Sequence, residues 1–106
     1  MKHLFITRNG FDKSHQAKIP TKSGKFYLSV VAGPHQYSNP RDYVEDCNYT
    51  EVELAIFTKD GEWASKEEAS PVFPIIGKGE YEFEFGNTAV FAYVPIELIE
   101  KCIEVL

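Results

Sequence analysis

The fold is decided by residues 25–57, KFYLSVVAGPHQYSNPRDYVEDCNYTEVELAIF. Two strand-like runs, residues 25–32 and 50–58, enclose a polar loop, residues 33–49. Successive side chains of a strand point to opposite faces, so an apolar residue at every second position marks a strand with one buried face. The first run alternates at Phe26, Leu28, Val30 and Ala32, and the second at Val52, Leu54 and Ile56. The pattern predicts two sheet strands that hold the loop between them.

Weaker signals predict the rest of the sheet. Residues 3–8 alternate weakly and predict a first strand. Residues 81–85 and 88–94 lie on either side of Gly86-Asn87, a turn signal, and predict a hairpin. Together with the two central runs, these segments make an antiparallel sheet of about five strands.

A second turn signal follows the second central run. Asp60-Gly61 is typical of a two-residue hairpin turn. It leads residues 62–64 back along the preceding strand. Trp63 is then expected to be a large anchor in the core.

Prolines and polar composition predict the segments outside the central strands. Residues 11–24 are polar and basic, which predicts a mobile loop; a short helix over residues 13–18 is an alternative that Pro20 would end. The segment PVFPII, residues 71–76, contains two prolines and is expected to be an edge strand or an extended segment. Residues 41–47 have room for one helical turn.

The last dozen residues predict an amphipathic helix. Pro95 suits the first helical position, and Glu97 lies in the first turn, where the helix dipole favours an acid. One side of this helix carries Ile96, Ile99, Ile103 and Leu106. The predicted fold class is α+β: residues 1–106 form a single domain with an antiparallel sheet of about five strands and the C-terminal helix packed on one face.

Composition limits the classes of function. Of the 106 residues 43% are hydrophobic, which is enough for one core, and the net charge is −5, with positive charge concentrated before residue 42 and negative charge after it. No apolar run approaches the ~18 residues that span a bilayer, and the N-terminus lacks the pattern of a signal peptide. We therefore expect a cytoplasmic protein without a membrane partner, whose two cysteines, Cys47 and Cys102, stay reduced.

The loop of residues 33–49 is the first candidate site, because it gathers the residue types that usually form sites. A small hydrolase-like enzyme would use His35, Asp42 and Cys47, yet no nucleophile-positioning motif accompanies them. The spacings match no zinc or calcium loop and no P-loop, so neither a metal nor a cofactor is expected. A recognition surface is the stronger hypothesis, with contact residues Tyr37, Arg41, Asp42, Tyr43, Glu45 and Asp46.

A row of glutamates is the second candidate site. Glu80, Glu82 and Glu84 alternate along a predicted strand and would stand about 6.6–6.8 Å apart on one face. Tyr93 falls on the same predicted face. Acids beside an exposed aromatic residue are typical of a surface that contacts a basic partner, and the alternative is that the glutamates simply form a solvated face of the sheet. The overall acidity argues against direct binding of nucleic acid.

Residues 27–43 and 49–63, YLSVVAGPHQYSNPRDY and YTEVELAIFTKDGEW, resemble short uncharacterised proteins of phages and prophages. The shared features are the strand, the Tyr-x-x-Pro-Arg loop at residues 37–41, and a Val-Glu-Leu-Ala strand before a Gly-x-Trp hairpin. The chain is also similar in kind to phage inhibitors of host defence, anti-CRISPR proteins among them. These likenesses assign no chemistry to any residue of the motif.

These observations together predict a non-enzymatic protein-binding inhibitor, encoded by a phage or mobile element. Its partner would be a host protein or ribonucleoprotein complex with a basic surface. The alternatives are the hydrolase-like enzyme and a homodimer that pairs through an edge strand near residues 72–76.

Overall fold

The protein is an antiparallel sheet with helical segments on one face, as seen in a computed structural model that describes residues 4–8, 13–76 and 90–106. Its strands pair in chain order: β1 (Ile6–Arg8), β2 (Ser14–Pro20), β3 (Phe26–Ala32), β4 (Glu51–Thr58) and β5 (Val90–Pro95). The helices are α1 (Lys66–Ala69), α2 (Phe73–Ile76) and α3 (Ile99–Val105), with 3-10 turns at Ser70–Val72 and Ile96–Leu98. The predicted α+β class, with about five antiparallel strands and a C-terminal helix, is confirmed.

The two central runs form the middle of this sheet. Leu28 lies opposite Ile56, and Val30 lies opposite Leu54. All four side chains are fully buried, and Ala32 and Val52 extend the same apolar face. The period-two pattern therefore identified the strands and the buried face of each.

The mobile loop predicted for residues 11–24, and the alternative helix over residues 13–18, are wrong for residues 14–20, which form β2. The buried residues of β2 on the core face are His15, Ala17 and Ile19, which give a weak apolar signal because one is polar and one is small. Pro20 is tolerated at the strand's last position. The Thr21 N–H donates to the Phe26 carbonyl on the β3 side, so the nitrogen of Pro20 points to the β1 side of the strand. The pairing of β1 with β2 ends at Gln16, so Pro20 is not required to donate a hydrogen bond to β1.

The turn after β4 exists, but it has three residues rather than two. The Thr58 N–H donates to the Glu62 carbonyl, and Gly61 takes φ +87°, a backbone conformation that glycine adopts readily. Phe57 then pairs with Trp63. The prediction that Trp63 anchors the core is wrong: its neighbour Ala64 is fully buried, whereas Trp63 lies on the opposite side of the sheet and is 46% exposed.

The prediction of an extended segment at residues 71–76 is also wrong, because these residues form the end of a 3-10 turn and then α2, directly after α1. Ser65 and Glu68 form a reciprocal capping box that starts α1. Each proline of the segment lies in the first turn of a short helix, where a missing N–H costs little. The edge strand through which a homodimer was expected to pair is therefore not present at these residues, and the homodimer itself stays a prediction.

The C-terminal helix packs on the core face as predicted, with Ile99, Cys102 and Leu106 buried. The turn between β2 and β3 fastens its end. Lys22 donates its N–H to the Ile103 carbonyl at 3.0 Å, and its ammonium pairs with Glu104 at 3.2 Å. The Ser23 hydroxyl donates to the Leu106 carbonyl.

The predicted strand at residues 81–85 and its turn at residues 86–87 lie outside the described residues. Among the residues that are described, no helix is both long and apolar enough to cross a membrane.

Candidate protein-binding surface

The loop of residues 33–49 begins in a well-held turn. The Ser38 hydroxyl is buried; it accepts the Gly33 N–H at 3.1 Å and lies 3.0 Å from the Pro40 carbonyl, to which it can donate. A Cβ atom at Gly33 would lie only 2.9 Å from Ser14 Cβ. The loop can approach strand β2 this closely because glycine has no side chain. Asn39, which precedes Pro40 through a cis peptide bond, pairs with Glu51 at the start of β4. Ser38 is thus committed to holding the turn.

The second half of the loop is held by a buried hydrogen-bond network around Tyr49. Its hydroxyl oxygen lies 2.9 Å from His15 Nδ1, accepts the Val44 N–H at 3.1 Å and donates to the Asp42 carbonyl at 3.2 Å. The hydroxyl has a single proton, so while it donates to Asp42, His15 Nδ1–H is the donor to Tyr49. One side chain therefore fixes two backbone groups of the loop to strand β2.

Burial sets the protonation of this pair. His15 is only 2% exposed, and burial lowers its pKa from the ordinary value, because the charged imidazolium loses its hydration. Burial also raises the pKa of Tyr49, although the hydrogen bond from the Val44 N–H acts in the opposite direction. Both side chains are accordingly neutral at pH 7.

Tyr43 belongs to the same buried group. Its ring stacks on His15 with centroids 4.7 Å apart and planes 19° apart, and Lys13 Nζ lies 5.7 Å from the Tyr43 centroid. Phe5 meets His15 and Tyr49 edge-on or tilted at about 6 Å. We call Phe5, His15, Tyr43 and Tyr49 the buried aromatic group. In it Tyr43, predicted as a contact residue, is half-buried and packs the loop against the sheet.

Three other predicted contact residues come together at the surface. The guanidinium carbon of Arg41 lies 5.0 Å from the Tyr37 ring centroid, and the rings of Tyr37 and Tyr93 are 5.9 Å apart. Tyr93 also donates its N–H to the Tyr37 carbonyl at 3.0 Å. Tyr37 is 38% exposed and Tyr93 43% exposed. We call Tyr37, Arg41 and Tyr93 the exposed cluster.

A β-bulge places Tyr93 in this cluster. Val52 pairs with Val94 and Leu54 with Phe91, so β5 has one more residue than β4 over this interval. Phe91 and Val94 are buried while both residues between them are exposed. Tyr93 takes φ +52°, a left-handed conformation that costs a non-glycine residue roughly 1–3 kcal/mol. Without the bulge, strict alternation would turn Tyr93 inward.

The predicted acidic residues of the loop have local roles and remain accessible. Asp42 Oδ1 accepts the Tyr43 N–H at 2.8 Å, and Asp46 Oδ1 accepts the Asn48 N–H at 3.0 Å. Val44, Glu45 and Asp46 line a shallow concavity in the surface. The loop thus presents carboxylates on the same segment that supplies two members of the exposed cluster. Glu80, Glu82 and Glu84 lie outside the described residues.

The loop also contains His35 and Cys47, two residues that the enzyme hypothesis would use. His35 is exposed, and Cys47, which forms no disulfide, is half-buried at the end of a turn in which its N–H donates to the Val44 carbonyl at 2.9 Å. The predicted helical turn over residues 41–47 is reduced to this one bond. Within residues 4–8, 13–76 and 90–106, no group of three or more His, Cys, Asp or Glu side chains could hold a metal ion.

Sequence reasoning missed the two residues that hold the loop, His15 and Tyr49. A signal for His15 exists: it occupies the same alternation as Ala17 and Ile19. Tyr49, just before the second central run, gives no comparable pattern. Comparison of the chain with protein-family models, curated proteins and solved structures found no match.

Proposed function

We propose that this protein is a non-enzymatic protein-binding module whose contact surface is the exposed cluster, with Asp42, Glu45 and Asp46 beside it. The observation that carries the proposal is Tyr93, a large aromatic side chain that a strained bulge holds outward beside Tyr37, a second exposed tyrosine, whose own ring lies beside the guanidinium of Arg41. Tyrosine and arginine are enriched among the residues that dominate binding energy at protein interfaces. Strained backbone conformations concentrate at functional sites.

The charge of the loop favours a basic partner. Its three carboxylates stand against Arg41, whose guanidinium lies over Tyr37. Complementary charge raises the association rate and selects partners. We propose a host protein or ribonucleoprotein complex with a basic surface, blocked in the host cytoplasm by a phage-encoded or mobile-element-encoded inhibitor. Residue likeness over 27–63 to phage proteins supports this setting.

A capture experiment with matched variants tests the surface. Immobilised protein should retain a specific partner from host lysate, and the Tyr93→Ala and Tyr37→Ala variants should lose it. Val105→Ala is the control, because Val105 is 45% exposed but lies on α3. Equal retention by the wild type and both tyrosine variants would contradict the proposal.

Affinity for the purified partner then tests the charge argument. The isosteric pair Glu45→Gln with Asp46→Asn preserves the acceptor for the Asn48 N–H and removes two charges. We expect weaker binding and a shallower salt dependence. Glu97→Gln with Glu100→Gln, exposed acids near the C-terminus, is the charge-matched control. If both double variants keep the wild-type salt dependence of binding, Glu45 and Asp46 are excluded from the interface.

A further inference from the structure

A row of stacked side chains crosses the face of the sheet opposite to the core. Tyr27 and Phe57 pair directly across β3 and β4, with ring centroids 5.3 Å apart and planes 15° apart. Phe57 in turn meets Trp63 at 4.4 Å and 34°. At the other end, Lys18 Nζ lies 5.7 Å from the Tyr27 centroid. We call these four residues the outer row.

The two ends of the outer row differ. At the β2 end, an ammonium already lies over the terminal ring, which is the arrangement that the negative face of an aromatic ring favours. At the β4 end, Trp63 is 46% exposed, and within the described residues its one ring contact is with Phe57. Tryptophan is the aromatic residue that attracts cations most strongly. The row thus ends in an accessible indole whose counterpart at the opposite end is covered by a cation.

The charges near Trp63 also favour a cation. Residues 59–68 contain four carboxylates and two lysines. The charged side chains of this segment are all exposed and carry a net charge of −2: Lys59, Asp60, Glu62, Lys66, Glu67 and Glu68. Phosphates of a nucleic acid would be repelled by this composition, whereas the side chain of an arginine or lysine would be attracted.

We propose that Trp63 is a second binding site, which takes an arginine or lysine side chain from a basic segment of a protein partner. This site is separate from the exposed cluster and does not depend on the function proposed for it. Tyr93 lies in the bulge between the pairs Val52–Val94 and Leu54–Phe91, whereas Trp63 pairs with Phe57 near the end of β4. Phe57 is three to five positions along the strand from the bulge, or roughly 10–17 Å.

Fluorescence gives a direct test, because Trp63 is the single tryptophan of the chain. The probe is the peptide acetyl-Arg-Gly-Arg-Gly-Arg-amide, and its control carries citrulline, which has nearly the shape of arginine without its charge. The arginine peptide should change Trp63 emission saturably at millimolar concentration, and added salt should weaken the effect. An equal response to the citrulline peptide, or no response to the arginine peptide, would overturn the proposal.

Variants locate the interaction with a readout that does not need tryptophan. With a fluorescein-labelled arginine peptide, anisotropy should report an affinity about 2- to 30-fold lower for Trp63→Leu and an intermediate value for Trp63→Tyr. Val105→Ala is the exposed apolar control and should bind as the wild type does; circular dichroism verifies that each variant is folded. If the folded Trp63→Leu variant binds the arginine peptide with the wild-type affinity, the proposal is wrong. Octathymidine that changes Trp63 emission where the arginine peptide does not would also overturn it, in favour of base stacking.

Discussion

Two groups at one end of the sheet both contain tyrosines, but the tyrosine at the centre of one group is buried and those of the other are exposed. In the buried aromatic group, the Tyr49 hydroxyl forms hydrogen bonds with His15, Val44 and Asp42, and the side chain is almost entirely buried. In the exposed cluster, Tyr37 lies beside both Tyr93 and Arg41, and the two tyrosines keep large parts of their rings accessible. Residue type alone does not separate the two groups, whereas burial and hydrogen bonding do.

The difference assigns stability to one group and availability for binding to the other. The buried aromatic group fixes residues 42–44 to β2, and the exposed cluster lies on the segment and strand beside them. Substitutions in the first should therefore lower the free energy of unfolding. Substitutions in the second should change binding and leave that free energy nearly unaltered.

The largest expected effect is on stability, from truncation of Tyr49. Tyr49→Ala removes a buried ring and should lower the free energy of unfolding by about 3–5 kcal/mol. Tyr49→Phe keeps the ring but leaves buried polar groups without their partner, which should cost about 1–3 kcal/mol. Denaturant unfolding measures both. Tyr37→Ala is the matched control from the exposed cluster and should stay within about 0.5 kcal/mol of wild type. If Tyr37→Ala were as costly as Tyr49→Ala, the division between the groups would be wrong.

A smaller effect is a pH dependence of stability that originates at His15. Burial lowers its folded-state pKa below the ordinary 6.5, so the unfolded chain binds a proton that the folded chain does not. Stability should therefore fall as the pH is lowered through 6.5 and level off below the folded-state pKa.

Unfolding midpoints between pH 8 and pH 5 test this assignment. In His15→Gln, whose amide can still donate to Tyr49 but does not titrate, the pH dependence should be shallower than in wild type. Val105→Ala, an exposed substitution that removes no titrating group, is the control and should keep the wild-type slope. A slope that His15→Gln leaves intact would place the titrating group elsewhere.

The sequence predicts the centre of the sheet well and its flanks poorly. Strands β3 and β4 can be predicted from the sequence because their buried residues are large, apolar and evenly spaced: Leu28, Val30, Leu54 and Ile56. Strand β2 is concealed because its buried positions include a histidine, whose partner Tyr49 lies 34 residues away. No local pattern shows that such a polar side chain will be hydrogen-bonded inside the core.

The errors after β4 have local physical causes. Trp63 was expected in the core on size alone, yet a strand places neighbours on opposite faces and the smaller Ala64 faces inward. The prolines of residues 71–76 were interpreted as extended chain. The capping box of Ser65 and Glu68 just before them would have indicated a helix start.

The candidate site could be predicted in part. Tyr37, Arg41 and Tyr93 were each expected at a contact surface, and the structure brings them together. Their meeting depends on the register between β4 and β5 and on one extra residue in β5. Register and bulge are set by pairing across the sheet rather than by local sequence, so the cluster itself was not foreseeable.

Tyr93→Asn is expected to change stability little and gives the sharpest separation of the two groups. Asparagine adopts the left-handed conformation more readily than tyrosine, so relief of strain at φ +52° should offset the loss of ring contacts. We expect a free energy of unfolding within about 1 kcal/mol of wild type, together with loss of partner binding. Tyr93→Phe keeps the ring and the strain, and should retain most of the binding. Stability measured by denaturant and affinity measured on the same samples distinguish the outcomes: parallel loss of both would mean that the bulge tyrosine holds the fold, whereas loss of binding alone would mean that the strain is maintained for recognition.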